Sequence, residues 1–108
     1  QLPTILTIYI ADNLPGDRDW VERTELWVEL NGAQTEDRIQ AKLNGVLLSE
    51  PRVVDSGWRI FSAEPGHFAV GSNLVYLVLD ERAGGSTAAV TIEKLEVHVV
   101  YGESPAEP

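Results

Sequence analysis

Hydrophobic and polar residues alternate with a period of two along most of this 108-residue chain. Such alternation is typical of a β-strand with one buried and one exposed face. No run of 10 or more residues keeps a helical period without an interrupting glycine, proline or turn cluster. The spacing predicts about seven or eight short strands, and a single sheet of that size would leave an apolar face in water. We therefore expect an all-β fold built as a two-sheet β-sandwich.

The sequence of the strand around residues 25–30 shows which of its two faces is buried. Its large aliphatic residues occupy the even positions, namely Leu26, Val28 and Leu30. The odd positions hold Glu25, Trp27 and Glu29. Since successive side chains of a strand point to opposite faces, the aliphatic residues are predicted inside and Trp27 on the outer surface.

Two local patterns predict the backbone geometry. Asn44-Gly45 follows the alternating segment 39–43, and this dipeptide suits the positive φ angles of a two-residue type I′ turn, so we expect a β-hairpin there. In the last strand the apolar residues change from even to odd positions. One additional residue near Glu93-Lys94 restores the facing, which predicts a β-bulge.

The length of the chain fits one domain. We assign residues 1–101 to the β-sandwich module. Residues 102–108 carry no large apolar side chain and are assigned to a flexible tail or linker stub. Because the chain starts at Gln1 without a leader and contains no methionine, we expect a module excised from a longer polypeptide.

The composition argues against several classes of partner. There are 17 acidic and 8 basic residues, and the resulting net charge of -9 repels nucleic acid and anionic lipid. No apolar run approaches the roughly 20 residues that a membrane crossing needs. The chain has no cysteine, so it offers neither a disulfide nor a thiolate ligand or nucleophile. We expect neither a nucleic acid nor a membrane as partner.

Four segments carry a resemblance to a known family. They are Ala41-Lys42-Leu43-Asn44-Gly45-Val46, Gly57-Trp58-Arg59, Val70-Gly71-Ser72-Asn73-Leu74-Val75 and Leu95-Glu96-Val97-His98-Val99. Together they resemble the jelly-roll, galactose-binding-like modules attached to many bacterial glycoside hydrolases. The resemblance implies a non-catalytic accessory module of a secreted or periplasmic carbohydrate-active protein, whose partner is a polysaccharide or an adjoining catalytic domain. The alternative is a protein-interaction or adhesion β-sandwich without a sugar ligand.

The resemblance also implies which surface is functional. In the resembling fold the strand of Trp27 pairs with the strand that Asn73 opens. The outward side chains of that second strand are Leu74, Tyr76 and Val78. Trp27 and Tyr76 are then expected to share a surface that is too apolar to lie in water without a partner.

Three interpretations of that surface compete. Sugar rings stack on aromatic side chains while carboxylates bind their hydroxyls, so Trp27, Tyr76 and Glu25 suit a carbohydrate platform. Aliphatic Leu74 and Val78 offer neither a ring nor a hydroxyl partner, so the four apolar residues favour the docking of a neighbouring domain. A purely structural role, with a loop folded across the surface, is the third.

The charged loop before residue 24 holds a second candidate site. Trp20 lies beside Asp17 and Asp19, and an aromatic ring among hydrogen-bonding side chains suits a sugar. In the structural alternative, the Trp20 side chain folds back and covers the end of the sandwich. Together with Asp12 the same carboxylates are candidate Ca²⁺ ligands, but their spacing matches no calcium loop, so we expect no metal and no cofactor.

The sequence shows no catalytic constellation. His67 lies in a turn and His98 is predicted to face outward with Glu96, and neither has metal-ligand neighbours at the usual spacing. We therefore expect a protein that is not an enzyme. If it binds a glycan, the net charge favours a neutral polysaccharide.

Overall fold

The computed structural model describes residues 2–11, 16, 21–55, 57–81 and 89–102, and these form an all-β structure, as predicted. The strands are β1 (Thr4–Ile10), β2 (Val21–Asn31), β3 (Arg38–Leu43), β4 (Val46–Leu47), β5 (Arg52–Val54), β6 (Trp58–Ala63), β7 (Gly71–Glu81) and β8 (Thr91–Tyr101). One turn of 3-10 helix, Pro65–His67, connects β6 to β7. Within the described ranges, no helix is long and apolar enough to cross a membrane.

The strands form two four-stranded antiparallel sheets that pack against each other, so the predicted β-sandwich is confirmed. One sheet has the order β1-β7-β3-β4, and the other has the order β5-β6-β2-β8. Strands β1, β2 and β3 alternate between the sheets, and so do β6, β7 and β8. This repeated crossing is how a jelly roll places sequence neighbours in opposite layers.

The core lies between the sheets and follows the predicted alternation. Its strand residues include Leu26, Val28 and Leu30 of β2, Ile39, Ala41 and Leu43 of β3, and Val75 and Leu77 of β7. Phe61 and Phe68 also belong to it, as do Leu2, Leu48 and Val90. Trp27 points away from this core, as predicted.

The predicted hairpin joins β3 to β4. Asn44 and Gly45 both have positive φ angles, 51° and 86°, as a type I′ turn requires. The Asn44 side chain also donates from Nδ2 to the carbonyl of His67 and to Oδ1 of Asn73, and its Oδ1 accepts the amide of Leu74. The turn is thereby fastened to the beginning of β7.

The predicted bulge in β8 is also confirmed. Glu29 pairs with Lys94, whereas the next residue, Leu30, pairs with Ile92. Glu93 is therefore the additional residue, and it allows the apolar side chains on both sides of it to face the core.

The predicted pairing of the Trp27 strand with the Asn73 strand is wrong. β2 lies between β6 and β8, and β7 lies between β1 and β3 in the other sheet. Trp27 and Tyr76 therefore lie on the outer faces of different sheets and do not share a surface. Alternation determines which face a side chain occupies, but it carries no information on which strand is the neighbour.

Candidate functional site

An apolar row crosses the outer face of the β1-β7-β3-β4 sheet. Tyr76 pairs with Ile5 on one side and with Lys42 on the other, and Lys42 pairs with Leu47. Leu74 and Val78 flank Tyr76 on the same face of β7. We call this surface the apolar face and define it by Ile5, Leu47, Leu74, Tyr76 and Val78.

The apolar face is open to solvent in the described part of the chain. Ile5, Leu47 and Leu74 are 62%, 56% and 54% exposed, and Tyr76 is 37% exposed. A shallow hollow of about 120 Å³ lies beside Lys42, Leu47 and Tyr76. Contiguous exposed apolar surface of this kind marks an interaction site far more often than scattered single residues do.

Charge is sparse on the apolar face although the chain carries a net charge of -9. Lys42 lies in the middle of the row. Toward one end, Arg38 Nε lies 3.6 Å from a carboxylate oxygen of Asp80, so these two charges largely cancel. Arg38 Nη2 also lies 2.6 Å from Glu50 Oε1, so the apolar face has little net charge.

The opposite outer face carries an aromatic cluster, which we define as Trp27, Trp58 and His98. The rings of Trp27 and His98 are stacked, with centroids 4.1 Å apart and planes 5° apart. Trp58 meets Trp27 edge to face, with centroids 5.8 Å apart. Ile60 pairs directly with Trp27 on this outer face and is only 3% exposed. The cluster therefore shelters an aliphatic side chain outside the main core.

A buried carboxylate holds the cluster in place. Glu25 Oε1 accepts a hydrogen bond from Trp27 Nε1 at 3.1 Å, and its Oε2 accepts one from Arg52 Nη2 at 2.8 Å. Burial alone raises the pKa of Glu25, but the hydrogen bonds from Trp27 and Arg52 and the positive charges of Arg52 and Arg23 outweigh it. The pKa of Glu25 is consequently below its ordinary value.

The lowered pKa of Glu25 predicts an acid-dependent loss of stability. The unfolded chain takes up its proton at a higher pH than the folded chain, so this stabilisation is complete above the ordinary glutamate pKa and is lost as the pH falls through the lower folded value. Glu25→Gln is expected to cost about 1 kcal/mol at pH 7 and less under acid. Urea unfolding of the wild type and of Glu25→Gln between pH 7 and pH 3 measures the difference in the free energy of unfolding.

The matched control is Glu36→Gln, which removes the charge of an exposed turn residue. This variant should follow the wild-type pH dependence. An equal loss at every pH in Glu25→Gln would contradict an electrostatic role for Glu25.

The sequence-predicted site residues fall into three groups. Trp27 and Glu25 meet in the aromatic cluster. Leu74, Tyr76 and Val78 lie on the apolar face. Asp12, Asp17, Asp19 and Trp20 lie outside the described residues, as does the predicted tail from residue 103.

Sequence reasoning missed several members of both surfaces. His98 faces outward with its Nε2 2.9 Å from Glu96 Oε1, as predicted, but its stacking on Trp27 depends on the pairing of β8 with β2. The position of Trp58 depends in the same way on the pairing of β6 with β2. Ile5 is out of phase with the core residues of β1, so alternation alone indicates its exposure.

A cleft of about 590 Å³ opens at one end of the sandwich, between the start of β2 and the end of β6. Its lining is mixed, with Arg23, Glu25 and Glu64 beside Val21 and Pro65. Among the described residues, no group of three or more histidines and carboxylates is placed to hold a metal ion. Comparison of the chain with protein-family models, with curated proteins and with solved structures finds no match.

Proposed function

We propose that this chain is a non-catalytic β-sandwich module that docks through its apolar face onto a neighbouring folded domain of a larger carbohydrate-active protein. The observation that carries the proposal is the exposure of Ile5, Leu47, Leu74 and Tyr76 on one continuous sheet surface. The carbohydrate context comes from the resemblance to accessory modules of glycoside hydrolases.

The chemistry of the apolar face supports docking over sugar binding. Three of its most exposed side chains, Ile5, Leu47 and Leu74, are aliphatic and offer neither a stacking ring nor a hydroxyl partner. Their removal from water is favourable by about 25 cal/mol per Å² of apolar area. A protein surface that covers the row gains this energy, whereas a hydrated polysaccharide gains little from it.

The charge of the apolar face indicates the chemistry of the partner surface. The partner needs an apolar centre to cover Leu74 and Tyr76 and an acidic group opposite Lys42, because a buried unpaired ammonium is costly. The positive charge of Lys42 suits such a surface.

The aromatic cluster gives less support to glycan binding. The Trp27 ring is stacked on His98 on one side and contacts Trp58. Both carboxylate oxygens of Glu25 already accept hydrogen bonds within the chain. A sugar at these residues has to compete with contacts that the folded chain makes with itself.

Docking predicts that Leu74 is protected from reagents in the larger protein. The chain has no cysteine, so Leu74→Cys introduces a single thiol on the apolar face. We expect alkylation of Cys at this position to be at least about tenfold slower in the full polypeptide than in the isolated chain, since a tethered neighbour is present at millimolar effective concentration. The modified peptide is quantified by mass spectrometry over time.

The control is Glu36→Cys, at an exposed turn position away from the apolar face, which should react at the same rate in both contexts. Equal rates at position 74 would overturn the docking proposal. If protection appears only when a separate protein is added, the chain is instead an interaction module without a neighbouring domain.

A further inference from the structure

β8 ends its sheet and has an incompletely covered inner face. It is an 11-residue strand, and among the described strands it pairs with β2 alone. Leu95, Val97 and Val99 face the core but are only partly buried, whereas Leu26 and Val28 of the adjacent strand are completely buried. A long edge of this kind is a template for a further strand.

The sequence of β8 is complementary to itself around Val97. When two antiparallel copies pair with Val97 opposite Val97, each Glu96 lies opposite His98 of the second copy. Leu95 then lies opposite Val99 of the second copy. A carboxylate faces an imidazole on the outer face, and aliphatic residues face aliphatic ones on the inner face, so both kinds of cross-strand pair are favourable.

We propose that two copies of this chain associate through the edges of their β8 strands that face away from β2, around a two-fold axis at Val97. The two β5-β6-β2-β8 sheets then join into one continuous eight-stranded sheet. A two-fold axis requires a self-complementary surface, and the segment from Leu95 to Val99 supplies one. This association is independent of docking through the apolar face.

Glu96 and His98 contact each other within one chain, and association exchanges this contact for the same pair across the two-fold axis. The Glu96 side chain is 47% exposed and the His98 side chain is 38% exposed. Stacking on Trp27 fixes the His98 ring, so its orientation costs little entropy on association.

The alternative registers are less favourable. A two-fold axis at Glu96 places the two Glu96 carboxylates opposite each other and Lys94 opposite His98. An axis at His98 places the two imidazoles opposite each other. An axis at Leu95 brings the Glu93 bulge into the paired segment, where it interrupts the regular ladder. The register centred on Val97 is therefore more complementary than these three.

Charge reversal tests the register. We expect the wild-type chain to show a concentration-dependent monomer–dimer equilibrium in analytical ultracentrifugation. Glu96→Lys removes the carboxylate acceptor from both cross-strand pairs with His98 and should raise the dissociation constant about tenfold. The double variant with Glu96→Lys and His98→Glu places an ammonium group opposite a carboxylate at both pairs, and it should recover part of the affinity, because it also loses the stacking on Trp27. Glu36→Lys is the matched control for net charge and should not weaken the dimer.

Cysteine cross-linking provides a readout that does not depend on charge. Val97→Cys should form a symmetric intermolecular disulfide under mild oxidation, because directly opposite residues have β-carbons about 4.5–5.5 Å apart and need only a small shift to reach the roughly 3.5–4.5 Å of a disulfide. Leu74→Cys on the apolar face should not. Cross-linking at position 74 but not at 97 would overturn the proposal, as would a wild-type chain that stays monomeric at millimolar concentration. Far-UV circular dichroism confirms that each variant is folded.

Discussion

Replacing Arg59 by methionine is expected to lower the free energy of unfolding by about 3 kcal/mol, although methionine fills a similar volume. Arg59 lies on the core side of β6, opposite Val28, and its side chain is completely buried. Its Nη2 donates to the carbonyl of Gln34 at 2.6 Å and to that of Asp37 at 3.1 Å. The guanidinium therefore anchors the connection between β2 and β3 to the sandwich.

The electrostatics of Arg59 explain why a hydrophobic replacement is not neutral. Burial lowers the pKa of the guanidinium, and the nearby Asp37 carboxylate opposes this shift. Asp37 is itself buried, and its Oδ2 accepts the amide of Gln34 at 2.9 Å. Without Arg59 a buried carboxylate loses its counter-charge and two carbonyls lose their donor, and both losses carry the full cost of desolvation.

Urea unfolding followed by tryptophan fluorescence measures the effect of Arg59→Met. Arg38→Met is the control, because Arg38 lies on the exposed face of β3 in partly exposed ion pairs with Glu50 and Asp80. Such pairs contribute at most about 1 kcal/mol. If Arg59→Met is as stable as the control, the buried guanidinium does not hold the connection.

Local sequence patterns predicted the faces of the strands but not their neighbours. The outward position of Trp27, the hairpin at Asn44-Gly45 and the bulge at Glu93 each depend on a few consecutive residues, and all three are confirmed. The separation of Trp27 from Tyr76 depends on how strands distant in sequence are ordered. That order is determined by the packing of the whole sandwich, and the alternation of residues within one strand does not predict it.

The same limit explains what was missed in the candidate site. Arg59 has the core-facing phase of Phe61, a position where alternation expects an apolar residue. It is stable there because carbonyls from the connection after β2, more than 20 positions earlier in the chain, accept its hydrogen bonds. The contact between Trp27 and His98 likewise joins distant segments. Polar groups inside a fold and rings stacked between strands are tertiary features, so they become visible only when the pairing is known.

Replacing Gly32 by alanine is expected to destabilise the chain by about 3 kcal/mol or more, from two separable causes. Gly32 has a φ of +88°, which disfavours any residue with a β-carbon. A β-carbon at Gly32 would also collide with the main-chain oxygen of Ala89. That collision cannot be relieved by a side-chain rotation. Ala89 directly precedes Val90, a core residue whose carbonyl accepts the amide of Leu2 at 2.9 Å, so the backbone is held immediately after Ala89.

Gly45→Ala separates the two causes. Gly45 has nearly the same φ, +86°, and no atom lies within 4 Å of the position its β-carbon would occupy. Gly45→Ala should therefore lower the free energy of unfolding only through the unfavourable φ angle, by about 1 kcal/mol. Urea unfolding of both variants measures the difference, which isolates the contact with Ala89. Equal losses at Gly32 and Gly45 would show that the backbone before β8 moves aside at little cost, and that the approach of this segment to the end of β2 is not tightly packed.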